Sequence, residues 1–569
     1  LQFLLRIVCI AALKMLGTVC GAYTAPVAFR RRLHTIPSHR NDAKTEKESI
    51  LDAFQGVLDS IAGVIWGPFV LIPLLLGTGI YMTFRLGLIQ FRSLGAGLSL
   101  GLIRRSDKGS SGDVTQYKAL ATAMAATVGT GNIAGVATAI ALGGPGAIFW
   151  MWISGLFGMA LKYSEAFLAV RFRTIDGKGG RNGGPQYYLQ KGIRGGFGKF
   201  LGWFFTIAAI VASFGIGNMV QANSLSETMT MNFEVPAWLT GLIIAVVTFF
   251  VLIGGVKSIA NVAGAIVPIM VVLYIGVQLW ILGRNAGGLG EAFGEIFAGA
   301  FTGTAAAGGF TGALVIAAIQ FGLARGLFSN ESGMGSAAIA AGAAQTSHPT
   351  RQGLVSMTQT FIDTIIMVTL TGLVITVTKA YQMVDADGNA FTGVNLTSTA
   401  LNEGLGLGGN VGGILVAICL VLFASTTLWG WSYYGERAVE RALGTRAILP
   451  FRLVWVVMSF VGATIPLAMV WTLSDIANGL MVLPNLIGIL ILSNLVARES
   501  RAYLRFDPKL RASQEEIDVA LANDPGYQAW RTEEQKLDRE VATITGAIPV
   551  AMQRDIAREV DRENRQGTL

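Results

Sequence analysis

The chain has 569 residues, 52% of them hydrophobic and only 14% charged, whereas a soluble protein carries about a quarter charged residues. That composition excludes a wholly soluble chain, and the apolar residues fall in blocks long enough to cross a hydrocarbon layer roughly 30 Å thick. The net charge of +8 sits in alternate loops, a topology signal and not a nucleic-acid surface; with Cys9, Cys20 and Cys419 scattered and three histidines in all, no disulfide framework or resident metal centre is expected.

Residues 1–60 read as an N-terminal extension. Leu1 to Ala25 is apolar and ends in small residues before Pro26, which suits a secretory signal peptide. The chain opens on Leu, so a misplaced start codon reads equally well. Arg30 to Lys47 reads as a flexible tail.

Residues 61–497 read as the membrane domain, an all-α polytopic bundle with about eleven spans. The first runs from Ile61 to Phe84. The others are Ala119–Leu142, Gly146–Val170, Leu201–Ser224, Ala237–Gly254, Ile259–Leu282, Gly312–Ala344, Leu354–Thr378, Val411–Tyr434, Leu453–Thr472 and Ile476–Val496. The loops Arg85–Lys108, Arg171–Lys199, Gly255–Ser258, Ser347–Arg351 and Gly435–Arg452 hold roughly eighteen Lys and Arg, against one or two in the intervening loops. The first set is therefore expected on the cytoplasmic side. Residues 498–569 turn abruptly charged and read as a solvated cytoplasmic tail with short amphipathic stretches, a regulatory domain being the other reading.

Two spans are interrupted. The second carries Gly129-Thr130-Gly131-Asn132 near its middle, residues that weaken a helix and leave backbone groups in need of partners. The spacing to Gly135 does not match a dinucleotide fingerprint, and no strand precedes it. A glycine patch for close helix packing is the plain structural alternative. The seventh span is interrupted by Arg325-Gly-Leu-Phe-Ser-Asn-Glu-Ser-Gly-Met-Gly-Ser336. With the first span set aside, the remaining spans, about ten, form two halves of about five, each opening with a broken helix. Odd-numbered halves must be inverted relative to one another, the pattern of a transporter with its binding site at the breaks.

The helix ends at such a break have opposite polarity. Free carbonyls near Ala125–Val128 suit a small cation. Free amides near Gly131-Asn132 suit a carboxylate, and the Asn132 oxygen can join the cation shell. An all-oxygen shell favours a hard cation such as Na⁺.

Three stretches carry a family resemblance: Ala123 through Gly135, Gly143-Gly-Pro-Gly through Lys162-Tyr-Ser-Glu165, and Gly322 through Gly335. Over roughly Ile61 to Val496 the sequence resembles the alanine/glycine:cation symporters. The resemblance implies a LeuT-type 5+5 inverted-repeat core with one extra N-terminal helix, in a bacterial inner membrane; the loop charges put the C-terminus on the cytoplasmic side. It implies Na⁺-coupled uptake of alanine or glycine, with D-alanine among the candidates. It implies Na⁺ as the co-transported ion with no prosthetic group, and a small amino acid and the lipid bilayer as partners, nucleic acid having no part. The implied Na⁺ ligands are the carbonyls of Ala125 and Val128 with Thr426 and Thr427 on the ninth span, Ser425 being the alternative register. The implied substrate contacts are Thr130, Gly131, Asn132, Gln221 and Trp429, with Phe328, Ser329 and Asn330 as wall residues. Each has a plain alternative. The hydroxyls can bond back to their own helix, Gln221 can be a packing hydrogen bond, and Trp429 with Trp431, Tyr433 and Tyr434 can be an interfacial belt.

Charges inside a membrane are costly and mark function. Arg325 lies about 18 Å into its span from the outer end and Asp363 about 15 Å into the next from the inner end. They are expected to pair directly or through Glu331, as a structural or gating element. Lys162 and Glu165 fall on one face of the third span, as a structural pair or an inner-gate contact. An H⁺-coupled or broader neutral amino-acid transporter is the alternative function. A channel fits the paired breaks poorly, and neither a P-loop nor a nucleophile–base set suggests a pump or an enzyme.

Overall fold

In the computed structural model the described residues are 55–67, 70–107, 110–302, 311–465, 468–546 and 552–553. The chain divides into two units, Leu1–Gln55 and Gly56–Leu569, and the helical bundle belongs to the second. The expected signal peptide and flexible tail lie outside the described residues.

The described chain is helical apart from one short hairpin. A first short helix, 55–65, is separated from α1 (Leu71–Arg85), so the expected first span is split. Gly67 and Pro68 stand at the split in the sequence, and proline cannot continue a helix it interrupts. α2 (Gln116–Thr127) starts on Thr115, whose hydroxyl accepts from the Lys118 amide at 3.3 Å, a standard N-cap. After Val128–Thr130 the chain winds through a wide π turn, Gly131–Gly135, into α3 (Val136–Gly143). The two halves are bent by 51°. The second span is thus broken where the glycines and asparagine indicate.

α4 (Gly146–Arg171) follows, then the hairpin β1 (Thr174–Ile175) and β2 (Arg181–Asn182). α5 (Gly196–Phe214) and α6 (Val220–Phe233) form one long span through a π turn at Gly215–Met219, and α7 (Ala237–Ile253) and α8 (Gly255–Arg284) follow. α9 (Leu289–Phe301) is a short peripheral helix.

Next come α10 (Thr311–Asn330), a break, and α11 (Ser336–Gly342). Glu331 turns left-handed at φ +54°, followed by Gly333 at +90° and Gly335 at +81°, conformations that glycine adopts without steric cost. α12 (Pro349–Thr360) and α13 (Thr369–Val377) are joined by a π turn that carries Asp363. Then come α14 (Gly393–Leu405), α15 (Val411–Leu443), α16 (Ile448–Thr464), α17 (Ala468–Phe506), α18 (Gln514–Ala520) and α19 (Pro525–Thr545).

Seven helices are long and apolar enough to cross a membrane, and the bent α2–α3 pair makes eight, among the described residues. The expected first, fifth and seventh spans lie outside these eight: α1 has 15 residues, α7 has 17, and the seventh is divided into α10, 20 residues, and α11, 7 residues. The expected tenth span stops early, at Thr464, and the eleventh runs on past Val496 to Phe506. The packing core is α4 against α10 and α12, which brings the two broken helices together.

The C-terminal segment departs from the solvated tail expected of it. Tyr527, Trp530 and Leu537 of α19 are buried, as are Glu534 and Asp538. Glu534 and Asp538 pair with Arg173 and Arg181 of the basic loop after α4, while Glu533, Arg539 and Glu540 stay exposed.

Candidate functional site

Close helix contact shapes the break. A Cβ on Gly430 of α15 would stand 2.9 Å from Ala126 of α2, and one on Gly129 would run into the Thr427 hydroxyl. These two positions need glycine so that α15 can lie directly on the broken helix. As a result the Thr427 hydroxyl donates to the Val128 carbonyl at 3.4 Å. A carbonyl at the helix end and a hydroxyl oxygen from α15 thus face one another, both on buried residues.

On the other side of the break the free groups are partly answered. The Asn132 side-chain oxygen accepts from the Gly129 amide at 3.3 Å, and the Gln221 oxygen accepts from the Thr130 amide at 3.4 Å. Gln221 in turn donates to the Ile216 carbonyl at 3.0 Å, so it touches the break and also serves its own helix. The Thr130 hydroxyl is buried with no hydrogen-bond partner among the described residues. Buried hydroxyls rarely stay unpaired.

The second break sits against the first. A Cβ on Gly131 would stand 3.0 Å from the Ser329 Cα and 3.4 Å from the Phe328 ring. Asp363 joins the two: one carboxylate oxygen accepts from the Asn132 amide at 2.9 Å, and the other accepts from the hydroxyls of Ser329 at 2.9 Å and Thr364 at 2.8 Å. Asn330 donates to Thr364 at 2.9 Å. Gln359 spans both breaks, donating to the Thr127 hydroxyl at 2.9 Å and the Asn330 carbonyl at 3.1 Å.

The expected pairing of Arg325 with Asp363 or Glu331 does not occur. Arg325 meets Asp475 of α17 at 3.6 Å and lies over the Phe328 ring. Glu331 instead accepts from the Trp431 indole at 2.8 Å and from Ser336. The two expected carboxylates are already engaged, Glu331 by Trp431 and Ser336 and Asp363 by Asn132, Ser329 and Thr364. Lys162 and Glu165 are buried on α4 but form no ion pair within 4 Å. Glu165 accepts from Asn485 at 2.6 Å and from the Gly335 amide at 3.2 Å, while the Lys162 amine has no hydrogen-bond partner among the described residues.

The remaining residues divide. Ala125 lies buried in the last turn of α2. Thr426 donates to its own helix, at the Leu422 and Phe423 carbonyls, 2.9 and 3.0 Å away. Ser425 is half-buried beside it. Trp429 turns its indole N–H to Thr248 of α7 at 3.2 Å. Trp431, Tyr433 and Tyr434 are buried and form no interfacial belt.

Several polar residues at the break lie outside the sequence expectations. The Asn132 carbonyl accepts from Thr371 at 3.0 Å and from Tyr274 at 3.3 Å, and Thr397 of α14 donates to the Ile133 carbonyl at 2.9 Å. Gln359 belongs with them. Their one sequence signal is a polar side chain within an apolar stretch.

Phe328 also borders a cavity of about 180 Å³ lined by Trp66, Gln320, Arg325, Asp475 and Asn478 among others. It is stacked on Trp471 with centroids 5.7 Å apart, and the Phe328 ring itself lies between this cavity and Gly131.

Residues 51–517 match the family model described as the sodium:alanine symporter family. The chain is 48% identical over 453 residues to the sodium/alanine symporter AgcS of Methanococcus maripaludis, covering 79% of this chain and 97% of that one. It is 44% identical to an uncharacterized transporter of Haemophilus influenzae, over 79% of this chain and 96% of that one. It is 38% identical to a Bacillus subtilis protein named "Probable sodium/glutamine symporter GlnT", over 85% and 98% of the two chains. The chain belongs to the sodium:alanine symporter family, and with it to the multi-pass membrane transporters and not to the enzymes.

Proposed function

We propose that this chain couples Na⁺ entry to uptake of alanine or glycine by alternating access, on a LeuT-type 5+5 core with its C-terminus cytoplasmic. The observation that carries the reading is the break at Val128–Asn132. One helix end offers the Val128 carbonyl 3.4 Å from the Thr427 hydroxyl, and the other offers the unpaired Thr130 hydroxyl. Na⁺ takes the first position, with Val128, Thr427 and the neighbouring Ala125 carbonyl as oxygen ligands, a donor set that suits a hard cation. The substrate carboxylate takes the second, at Thr130, Gly131 and Asn132, where a helix N-terminus favours an anion.

The two charges then lie side by side, so each ligand improves the site of the other. This is the local origin of coupling. Phe328 stands 3.4 Å from a Cβ placed on Gly131, a bulky ring beside the break that on this reading limits the substrate to a small side chain. The relative with a glutamine name makes this size limit the point to test. Arg325, Asp475 and Phe328 line the cavity, and Phe328 also borders the break; on this reading the Arg325–Asp475 pair and the Phe328–Trp471 stack form the outer closure.

The experiment is uptake of radiolabelled alanine, glycine and glutamine by proteoliposomes with and without an inward Na⁺ gradient. Accumulation of alanine or glycine that requires the gradient is expected. Gradient-independent flux, or accumulation of glutamine in preference to both, overturns the proposal.

A further inference from the structure

The face that carries the basic loops holds a structure the transport cycle has to open. The strand-like segment before α2 and the segment after α11 are knitted together there. The Asp113 amide donates to the Ala343 carbonyl and the Gln345 amide to the Val114 carbonyl, both at 2.8 Å, and Gln116 donates to Thr346 at 3.2 Å. These segments are the ends of the two broken helices, so the knot ties one half of the molecule to the other directly beneath the breaks.

Arg173 straddles the knot. It donates to the Ser111 carbonyl at 3.0 Å on one side and to the Ala344 carbonyl at 2.9 Å on the other. Arg181 of the hairpin presents its backbone amide to Asp113 at 2.6 Å. Two buried guanidinium groups in one place would be costly without counter-charge. That charge comes from α19. Glu534 takes the Arg173 fork at 2.6 and 2.9 Å and Arg181 at 2.8 Å, while Asp538 pairs with Arg181 and accepts from Ser111 at 2.7 Å. The Arg173 and Glu534 side chains are 1% and 3% exposed, so water cannot replace either partner. Burial works to raise Glu534, but Arg173 and Arg181 outweigh it and hold Glu534 below the usual glutamate value. The helix that supplies both carboxylates lies beyond residue 517, where the family match ends.

We propose that α19 is a built-in clamp, which holds the α2 and α11 ends together through Glu534 and Asp538 and so biases the transporter towards the state closed on this face. Neighbouring contacts extend the clamp sideways. Arg351 reaches both Asp107 and Asp507 at 2.8 Å, and His348 lies stacked on Tyr503 at 4.2 Å and on Tyr527 at 5.8 Å. α12 is therefore held by the same C-terminal segment. The inference rests on the alternating-access reading only for its consequence in transport; the clamp itself is a statement about which segments open.

The test is hydrogen–deuterium exchange on the full-length protein in nanodiscs, wild type against the double substitution Glu534→Gln, Asp538→Asn, which keeps shape and removes charge. Exchange at residues 110–116 and 342–348 is expected to rise about tenfold or more, since local opening sets the rate there, while the interior of α4 stays unchanged. Faster exchange of α19 alone, with both knotted segments still protected, overturns the clamp. Unchanged exchange throughout overturns it as well. If the double variant cannot be purified folded, Ser111→Ala removes a single hydrogen bond to Asp538 and reads the same two segments. Alanine uptake measured on the same preparations separates the two proposals. Loss of uptake in the wild type counts against the transport reading and leaves the exchange result standing.

Discussion

At the scale of single residues, the two threonines of α15 make opposite forecasts from adjacent positions. Thr427 reaches across to the Val128 carbonyl, whereas Thr426 spends its hydroxyl on its own helix. Thr427→Ala is expected to raise the Na⁺ concentration for half-maximal uptake about tenfold, the equivalent of ~1.4 kcal/mol. Thr426→Ala should change it little, because a hydroxyl bonded back to its helix can be removed without orphaning a partner. Equal effects from the two would remove Thr427 from the cation site. Asp363 needs a different measurement. It accepts three side-chain donors, and Asp363→Asn would leave a buried donor unmatched at a cost of about 1–3 kcal/mol. Because the donors come from both breaks, half-saturation for Na⁺ and for alanine should rise together. A loss of protein yield with both constants unchanged would reduce Asp363 to packing. The threonine pair also shows where sequence reading stops. Hydroxyls at Ser425, Thr426 and Thr427 are visible as a group, but which one faces the break depends on helix rotation, which Gly430 sets by its contact with Ala126.

At the scale of elements, the broken helices are legible in the sequence and their partners are not. Glycine, asparagine and a positive-φ requirement leave local marks at Gly129–Asn132 and at Glu331–Gly335, and the structure breaks there. The destination of Arg325 leaves no such mark. Its partner Asp475 is far along the chain, just before the expected helix start at Ile476, so depth alone points to Asp363 instead. α15 is the element that turns the break into a site, and it does so through Gly430. Gly430→Ala would press a methyl group on the Ala126 Cα at 2.9 Å, an overpacking expected to cost about 1–3 kcal/mol. Moving α15 away also carries Thr427 from Val128, so Na⁺ affinity should fall along with thermal stability. A variant that loses stability but keeps its Na⁺ dependence would show that the contact serves packing alone. Another element-level forecast concerns the start of α12. His348 caps it, accepting from the Thr350 amide at 3.1 Å, and burial, with Arg351 and Arg171 nearby, holds its imidazole well below the ordinary value. The unfolded chain takes up the proton near the ordinary pH of about 6.5 while the folded chain does not. Stability is therefore full above that pH and falls as pH drops below it, by about 1.4 kcal/mol per pH unit for one group. Thermal unfolding between pH 5 and 7.5 should show this slope, and His348→Gln should flatten it.

At the scale of the whole molecule, composition and charge placement make the membrane bundle readable, because both are properties of long segments that no single contact can overturn. The C-terminal segment escapes the same logic. Its carboxylates look like solvation when counted in the sequence, yet Glu534 and Asp538 are buried against Arg173 and Arg181, a pairing between distant segments that composition does not record. The arrangement at the break has one consequence for the molecule as a machine. If Na⁺ and a zwitterionic amino acid enter together at Val128–Asn132, one net positive charge crosses per cycle. A membrane potential of 100 mV, negative inside, then adds about 2.3 kcal/mol to the driving force, and at 1.4 kcal/mol per factor of ten this is about a fiftyfold increase in the accumulation ratio. Proteoliposomes held at a fixed Na⁺ gradient, with a potassium diffusion potential imposed by valinomycin, measure this directly. A ratio that climbs towards that limit means uncompensated charge entry with the substrate. A ratio indifferent to potential means that a second charge moves the other way in each cycle, and the Lys162 amine, buried without a hydrogen-bond partner among the described residues, would then be the first group to replace.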